Sequence, residues 1–201
     1  MKLLKENSYD IVRLYINQVG ITIFSLVLYT SVNFIDDAAL NLKLKVGLSV
    51  FATIFYLALI YTAAWEFGAK DKIKVDSGKL GRVPMKGAIM SLVANAPNFI
   101  LAILTVLMIV IYILGGAEGF YSAFGIFNLI LRFTNSMFLG LIQGVFSGIS
   151  DVNMSYLWQS VGYFIMPLFS VAATQLGYAL GERNIRILGV VGTKLGNNGN
   201  K

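Results

Sequence analysis

The residues whose types and spacing could do chemistry are two amides, Asn95 and Asn98, which flank Pro97 inside the long apolar run 88–113. Proline has no amide hydrogen, so Pro97 leaves the carbonyl of Val93 without its helical partner. Discontinuous, polar helix segments near the membrane midplane are where transporters bind substrates and ions. The segment therefore predicts either a small-molecule site or a plain kink whose amides bond neighbouring helices. A site would also need groups from elsewhere in the chain, such as Asn17, Gln143 or Gln175.

Familiar catalytic chemistry is excluded by composition. The chain contains no histidine and no cysteine, which removes imidazole bases, thiol nucleophiles, disulfides and the commonest metal ligands. It has no phosphate-binding loop, no nucleophile-elbow motif and no pair of aspartates inside an apolar run. We therefore predict no catalytic residue, no metal, no cofactor and no enzymatic activity. Nucleic-acid binding is not expected either, because no motif for it is present and membrane orientation accounts for the positive charge.

The elements that must position these amides are transmembrane helices. Hydrophobic residues make up 57% of the 201 residues and charged residues only 13%, whereas a soluble domain carries roughly 25% charged residues. The sequence thus predicts an all-α, polytopic transmembrane helix bundle in which residues 1–201 form a single domain. The lipid bilayer is its first expected partner.

Four spans follow from length alone, since a crossing helix needs about 20 apolar residues. They are expected at about 15–35, 46–67, 88–113 and 158–180. The first apolar run begins after a charged segment, and no convincing cleavage site follows it. The N-terminus is therefore expected to be retained as a cytoplasmic tail.

The segment 117–150 is apolar apart from Arg132 and three amides. As one helix, it would place Arg132 near mid-membrane, where insertion scales assign an arginine a cost of about 2.5 to 3.5 kcal/mol. As two spans, 117–131 and 136–150, it would put Arg132 at an interface. About 15 residues at 1.5 Å each, however, reach only about 22 Å.

Positive charge favours the second arrangement. The segment 68–87 and the tail 182–201 both carry cations and should face the cytoplasm, which requires an even number of crossings. We predict six spans with both termini cytoplasmic. A four-span form with 117–150 re-entrant and a five-span form with 117–150 as one long helix remain alternatives. In the six-span form Glu66 and Arg132 share an interface, where they either pair or are solvated separately.

The segment 68–87 is expected to be a basic cytoplasmic loop. The alternation of residues 72–75 followed by a turn at 76–78 predicts a small hairpin, and the tail 182–201 is expected to be flexible. The loop's charge suits anionic lipid or an acidic partner. Its cations are Lys70, Lys72, Lys74, Lys79, Arg82 and Lys86.

Small residues recur every four positions in two runs, which lets another helix approach closely. Such faces serve either packing inside the bundle or contact with another membrane subunit. The first run is Gly140, Gly144 and Gly148, and the second is Ala173, Gly177 and Gly181.

Several short motifs resemble those of a group of small multipass membrane proteins of Gram-positive bacteria that has no assigned activity. The resemblance implies a multipass topology and a bacterial plasma-membrane location. The motifs are Trp65-Glu-Phe-Gly68-Ala-Lys70-Asp71, Gly81-Arg82, Lys86-Gly87, Pro97 and Gly177-Tyr178-Ala-Leu-Gly181.

Two functions are compatible with the sequence. The first is a non-enzymatic subunit or accessory of a membrane assembly, which the small-residue faces, the basic loop and the small extramembrane mass favour. The alternative is a small-solute binding or transport protein. In size and span number the chain is similar to the substrate-binding subunits of energy-coupling-factor vitamin transporters, although no specific motif is shared.

Overall fold

The computed structural model describes residues 7–79 and 81–185, so the predictions for residues 1–6 and for most of the tail lie outside the described residues. The all-helical prediction is confirmed, since these residues form helices and connecting turns without a strand. A short 3-10 turn, Val32–Phe34, extends the first helix. The helices are α1 Ser8–Ser31, α2 Ala38–Asp76, α3 Lys86–Ala94, α4 Ala96–Gly115, α5 Glu118–Thr134, α6 Ser136–Phe146 and α7 Val152–Glu182.

Four segments are long and apolar enough to cross a membrane: Ser8–Phe34, Ala38–Asp76, Ala96–Gly115 and Val152–Glu182. Helices α5 and α6 reach that length only as a pair, and the pair is bent by 116°. A multipass membrane protein is therefore compatible with the fold. The predicted count of six spans is not confirmed.

Helix starts and stops follow local chemistry. The carboxylate of Asp37 accepts hydrogen bonds from the amides of Ala39 and Leu40 and so caps α2, and the carboxylate of Asp151 accepts from Met154 N and caps α7. Such caps satisfy amides that have no partner inside the helix. Helix α4 ends at Gly116, whose φ of 67° lies in the left-handed region that glycine tolerates.

Contacts define two ends of the bundle. At the end where α1 and α3 begin and α2 and α7 finish, Arg13 pairs with Glu66, and the indole of Trp65 donates to the carbonyl of Ile185. We call this the basic end. Its cations are Arg13, Lys70, Lys72, Lys74, Lys79, Arg82, Lys86 and Arg183, and its acids are Asp10, Glu66, Asp71, Asp76 and Glu182. The opposite end carries the cations Lys43 and Lys45 and the acids Asp36, Asp37, Glu118 and Asp151.

Helix α5 begins, and helix α6 finishes, at the end of the bundle opposite the basic end. Phe124 of α5 contacts Tyr156 near the start of α7, with ring centroids 5.4 Å apart. Gly140 of α6 lies beside the backbone of Lys45, early in α2. At the inner end of α6, the Ser136 hydroxyl donates to the carbonyl of Thr22, midway along α1. The two helices therefore meet halfway through the bundle.

Small residues bring α2 and α7 together as a parallel pair. A Cβ added at Gly177 would overlap the carbonyl of Tyr61, one at Gly181 the carbonyl of Trp65, and one at Gly68 the carbonyl of Tyr178. Glycine is needed where backbones approach this closely.

The other small residues are distributed differently. Ala173 packs beside the buried core. Gly144 lies against the side chain of Val46, so α6 packs on α2. Gly148 does not make the expected helix contact within the described chain, because nothing there lies within 4 Å of a Cβ built on it.

The predicted hairpin in the segment 68–87 is wrong. Helix α2 continues to Asp76, so only residues after it form a connection to α3. Four alternating residues are too few to interrupt a helix that is already propagating. Asp71 and Lys74, three residues apart, also pair across the helix surface at 3.5 Å.

Candidate functional site

The predicted amides lie at the level where two helix breaks meet. Asn95 separates α3 from α4, and Asn135 separates α5 from α6. Between them, Asn98 Nδ2 lies 3.5 Å from Asn95 Oδ1, and Asn135 Nδ2 donates to Asn98 Oδ1 at 3.3 Å. The three amides therefore form a continuous chain through the centre of the bundle. We call them the central amides.

Asn95 is satisfied by the protein. Its Nδ2 donates to the carbonyl of Ser91 at 2.9 Å and lies 3.2 Å from the hydroxyl of Ser170 on α7. This residue therefore acts as a helix-to-helix tie. Pro97 does not kink a continuous helix as predicted, because it lies in the first turn of α4, where its missing N–H has no helical partner to lose.

Asn98 instead reaches a groove of about 200 Å³ between α1 and the bend of α5 and α6. We call it the central groove. It is lined by Tyr15, Gln18, Val19, Thr22, Leu26, Asn98, Phe133 and Thr134.

Gln18 is the polar group that sequence reasoning missed. Its side chain lines the central groove and is only 3% exposed, and its amide is not among the fully buried polar atoms that lack a partner, so we take it to be accessible from the groove. The sequence pattern that could have identified Gln18 is its spacing from Thr22, because residues four apart lie on one face of α1. The Thr22 hydroxyl donates to the carbonyl of Thr134 at 2.9 Å and so ties this face to the bend.

The apolar rim of the groove faces outwards. Tyr15, Val19 and Phe133 line it and are all exposed on the surface of the bundle. In a membrane, exposed apolar side chains at this level contact acyl chains. The groove thus combines a polar floor of Gln18 and Asn98 with a mouth towards lipid.

The other amides expected at a site lie elsewhere. Gln143 accepts a hydrogen bond from the hydroxyl of Tyr29, and the Gln175 side chain accepts from the amide of Ala88 at 2.9 Å. Asn17 is not among the residues lining the groove. These three side chains therefore do not complete the central groove.

A second buried polar cluster lies at the basic end. Lys86 Nζ is 2.5 Å from Asp71 Oδ2, and the hydroxyl of Tyr178 donates to the same oxygen at 2.9 Å. Gly87 allows this approach, because a Cβ there would come within 2.7 Å of Tyr178 Cβ. We call these three side chains the basic-end triad.

The triad corrects the predicted role of Lys86, which is 3% exposed and faces its partners. Counting cations cannot distinguish a lysine in a loop from one in the first turn of a helix. Asp71 lies three residues after Gly68, and residues three apart share a helix face. A glycine that marks a packed helix face therefore indicates that Asp71 lies on that face as well. Lys70, Lys74, Lys79 and Arg82 are exposed, and Lys72 is partly exposed.

Arg132 does not pair with Glu66, so of the two alternatives left open by the sequence the ion pair is not formed. Glu66 Oε2 accepts from Arg13 at 2.8 Å at the basic end, whereas Arg132 donates to Gln159 Oε1 at 2.7 Å on α7. The break falls at Asn135, inside the bundle, which separates the two residues. The Nε of Arg132 is buried without a partner in the described chain, as is the hydroxyl of Tyr163.

Within the described ranges no three carboxylates gather in a way that could hold a metal ion. Comparison with protein-family models, with curated proteins and with solved structures found no match to this chain. The chemistry of the central groove, of the basic-end triad and of Arg132 with its partner Gln159 is therefore the basis for inferring function.

Proposed function

We propose that this protein is a multipass membrane protein that binds a small hydrogen-bonding molecule in the central groove. This is the solute-binding alternative rather than the assembly role. Helix breaks expose backbone and amide groups, and membrane proteins tolerate such irregular segments where they are buried in protein or line a cavity. Here two breaks meet beside one groove, at Asn95 and Asn135, with Asn98 between them.

Gln18 is the observation that carries the proposal. A primary amide offers two donors and one carbonyl acceptor, and burying it unpaired costs free energy. Nearly all buried side chains of this kind therefore have a partner. Gln18 is 3% exposed as a residue and lines the groove, and its amide is not among the fully buried atoms without a partner, so it is available to a molecule in the groove. A bound molecule with a complementary donor and acceptor would satisfy it.

The groove also indicates the kind of molecule. Its floor offers neutral amide and hydroxyl groups and no charged side chain, while its mouth is apolar and faces lipid. Sites for small molecules are mostly apolar, with a few placed polar groups that fix orientation. We infer an uncharged amphiphile that reaches the groove sideways from the bilayer, with its polar group against Gln18 and Asn98.

The small-residue faces favour this function over a partner subunit. Gly140, Gly144, Gly177 and Gly181 all lie against helices of the same chain. The surface that best supported an assembly role is thus used in internal packing.

We further propose a topology of four complete crossings plus the α5–α6 pair, which enters from the opposite end and returns to it. The 116° bend and the contacts of Gly140 with Lys45 support the return. The positive-inside rule then supports placing the basic end, and with it both described chain ends, in the cytoplasm. The resemblance noted above supports a bacterial plasma membrane.

The test is to purify the protein from native membranes, extract bound small molecules and compare them by mass spectrometry with those of Gln18→Leu. We expect a neutral amphiphile in the wild type that is lost from Gln18→Leu. Thr30→Val is the matched control on α1, because its exposed hydroxyl bonds only within its own helix. Equal recovery from all three proteins, or no bound molecule, would contradict the proposal.

A further inference from the structure

Arg132 is a partly exposed cation whose Nε is buried and which has no counter-charge among the described residues. Within the part of the chain that the structure describes, no carboxylate lies within salt-bridge distance of it. On its own helix the nearest acid is Glu118, which is 14 residues away or roughly 21 Å along the axis. On α7, Asp151 precedes the partner Gln159 by 8 residues, or roughly 12 Å. Ionisable groups inside a membrane usually face a partner or a functional site.

The protein holds the guanidinium without neutralising it. Gln159 accepts from Arg132 through Oε1 and donates through Nε2 to the Ser155 hydroxyl at 3.0 Å. Both ends of this amide are therefore fixed. The last turn of α5, where Arg132 lies, offers only the partial negative charge of a helix C-terminus. A neutral amide and a helix end leave most of the positive charge uncompensated.

Two donors remain unused in the same region. Arg132 Nε is buried and unpaired in the described chain, and so is the hydroxyl of Tyr163, whose side chain is fully buried one helical turn beyond Gln159. Arg132 bonds Gln159, and Tyr163 lies four residues later on the same face of α7, which brings the two donors into one region. A single acceptor between them would satisfy both a guanidinium N–H and a tyrosine O–H.

We propose that Arg132 and Tyr163 bind a single small inorganic anion of chloride size between α5 and α7. The anion supplies the missing charge, accepts from Arg132 Nε and accepts from the Tyr163 hydroxyl. Gln159 acts as a positioning residue that fixes the guanidinium. This site is separate from the central groove, whose lining begins one residue later at Phe133 and continues on α1.

The test measures thermal unfolding of the full chain in phosphatidylcholine nanodiscs while chloride replaces gluconate at constant ionic strength. We expect a saturable rise of the unfolding midpoint in the wild type. Arg132→Gln should abolish the rise, and Tyr163→Phe should shift its half-saturation to at least several-fold higher chloride. Line broadening of the chloride-35 NMR signal gives a binding readout that does not depend on unfolding.

Two control variants distinguish this site from the surface cations and from the central groove. Arg13→Gln removes a surface cation from the basic end and should keep the wild-type response, as should Gln18→Leu in the central groove. If Arg132→Gln does not fold, Arg132→Lys with Tyr163→Phe tests the same site, and both should weaken the chloride response. A wild type insensitive to chloride, which a bound water would produce, overturns the proposal. An unchanged chloride response in the Arg132 and Tyr163 variants would also overturn the proposal. The same holds if phosphatidylglycerol stabilises the protein and chloride does not.

Discussion

Asn135 donates through its Nδ2 to the Oδ1 of Asn98 at 3.3 Å, which ties the break between α5 and α6 to the first turn of α4. The same Nδ2 lies 3.2 Å from the carbonyl of Leu131, which also accepts the backbone amide of Asn135 at 3.0 Å. One buried side chain thus contacts the end of α5 and joins the two irregular segments.

Asn135→Ala should destabilise the fold, because it removes the donor to the buried Oδ1 of Asn98. Each buried unsatisfied group costs about 1–3 kcal/mol. Thermal unfolding in detergent would show the loss. Asn33→Ala, at an exposed position in the turn after α1, is the matched control. Equal unfolding midpoints for both variants would contradict a structural role for the central amides.

Gly181→Ala should force α2 and α7 apart, since the new methyl group would overlap the carbonyl of Trp65. Overpacking of this kind typically costs about 1–3 kcal/mol. Gly125→Ala is the control, because its position faces open space, and alanine there raises helix propensity. The difference between the two unfolding midpoints measures the contact. A Gly181→Ala protein as stable as Gly125→Ala would argue against this packing.

Lys86→Met should be strongly destabilising, because it leaves Asp71 as a buried charge whose closest cation is gone. Breaking a buried ion pair from one side costs about 3–5 kcal/mol. The double variant Asp71→Asn with Lys86→Met should recover part of this loss, whereas Lys79→Met on the surface should change little. Unfolding measured for these proteins and for Asp71→Asn alone gives the coupling energy. A double variant whose loss equals the sum of the single losses would show no coupling.

Phe133→Cys distinguishes the re-entrant topology from six spans, and labelling is clean because the native chain has no cysteine. Six spans place residue 133 at the cytoplasmic surface, whereas the proposed topology places it inside the membrane. We expect that a membrane-impermeant maleimide does not label position 133 from either side of the membrane. Ser77→Cys should react only from the cytoplasmic side, and Asp151→Cys only from outside. Rapid cytoplasmic labelling at residue 133 would favour six spans.

The sequence could predict the helical fold and the central position of Asn95 and Asn98, because hydropathy and proline chemistry are local properties. It could not predict their partners. Ser170 lies 75 residues from Asn95, and Asn135 lies 37 residues from Asn98. The role of Lys86 could not be predicted for a related reason, since the positive-inside rule counts a lysine without knowing that Asp71 faces it. The bend at Asn135 depends on tertiary contacts that periodicity cannot show.

The α5–α6 pair has a consequence for biogenesis. Its polar groups are matched by α1 and α4, which are synthesised earlier, and by Gln159 on α7, which leaves the ribosome later. Until α7 has inserted, Arg132 has no partner to hold it in an apolar environment. We therefore expect this pair to remain near the membrane surface during translation and to move inward only after the last helix arrives. Chains truncated before residue 159 and released into the membrane would then show residue 133 accessible to water.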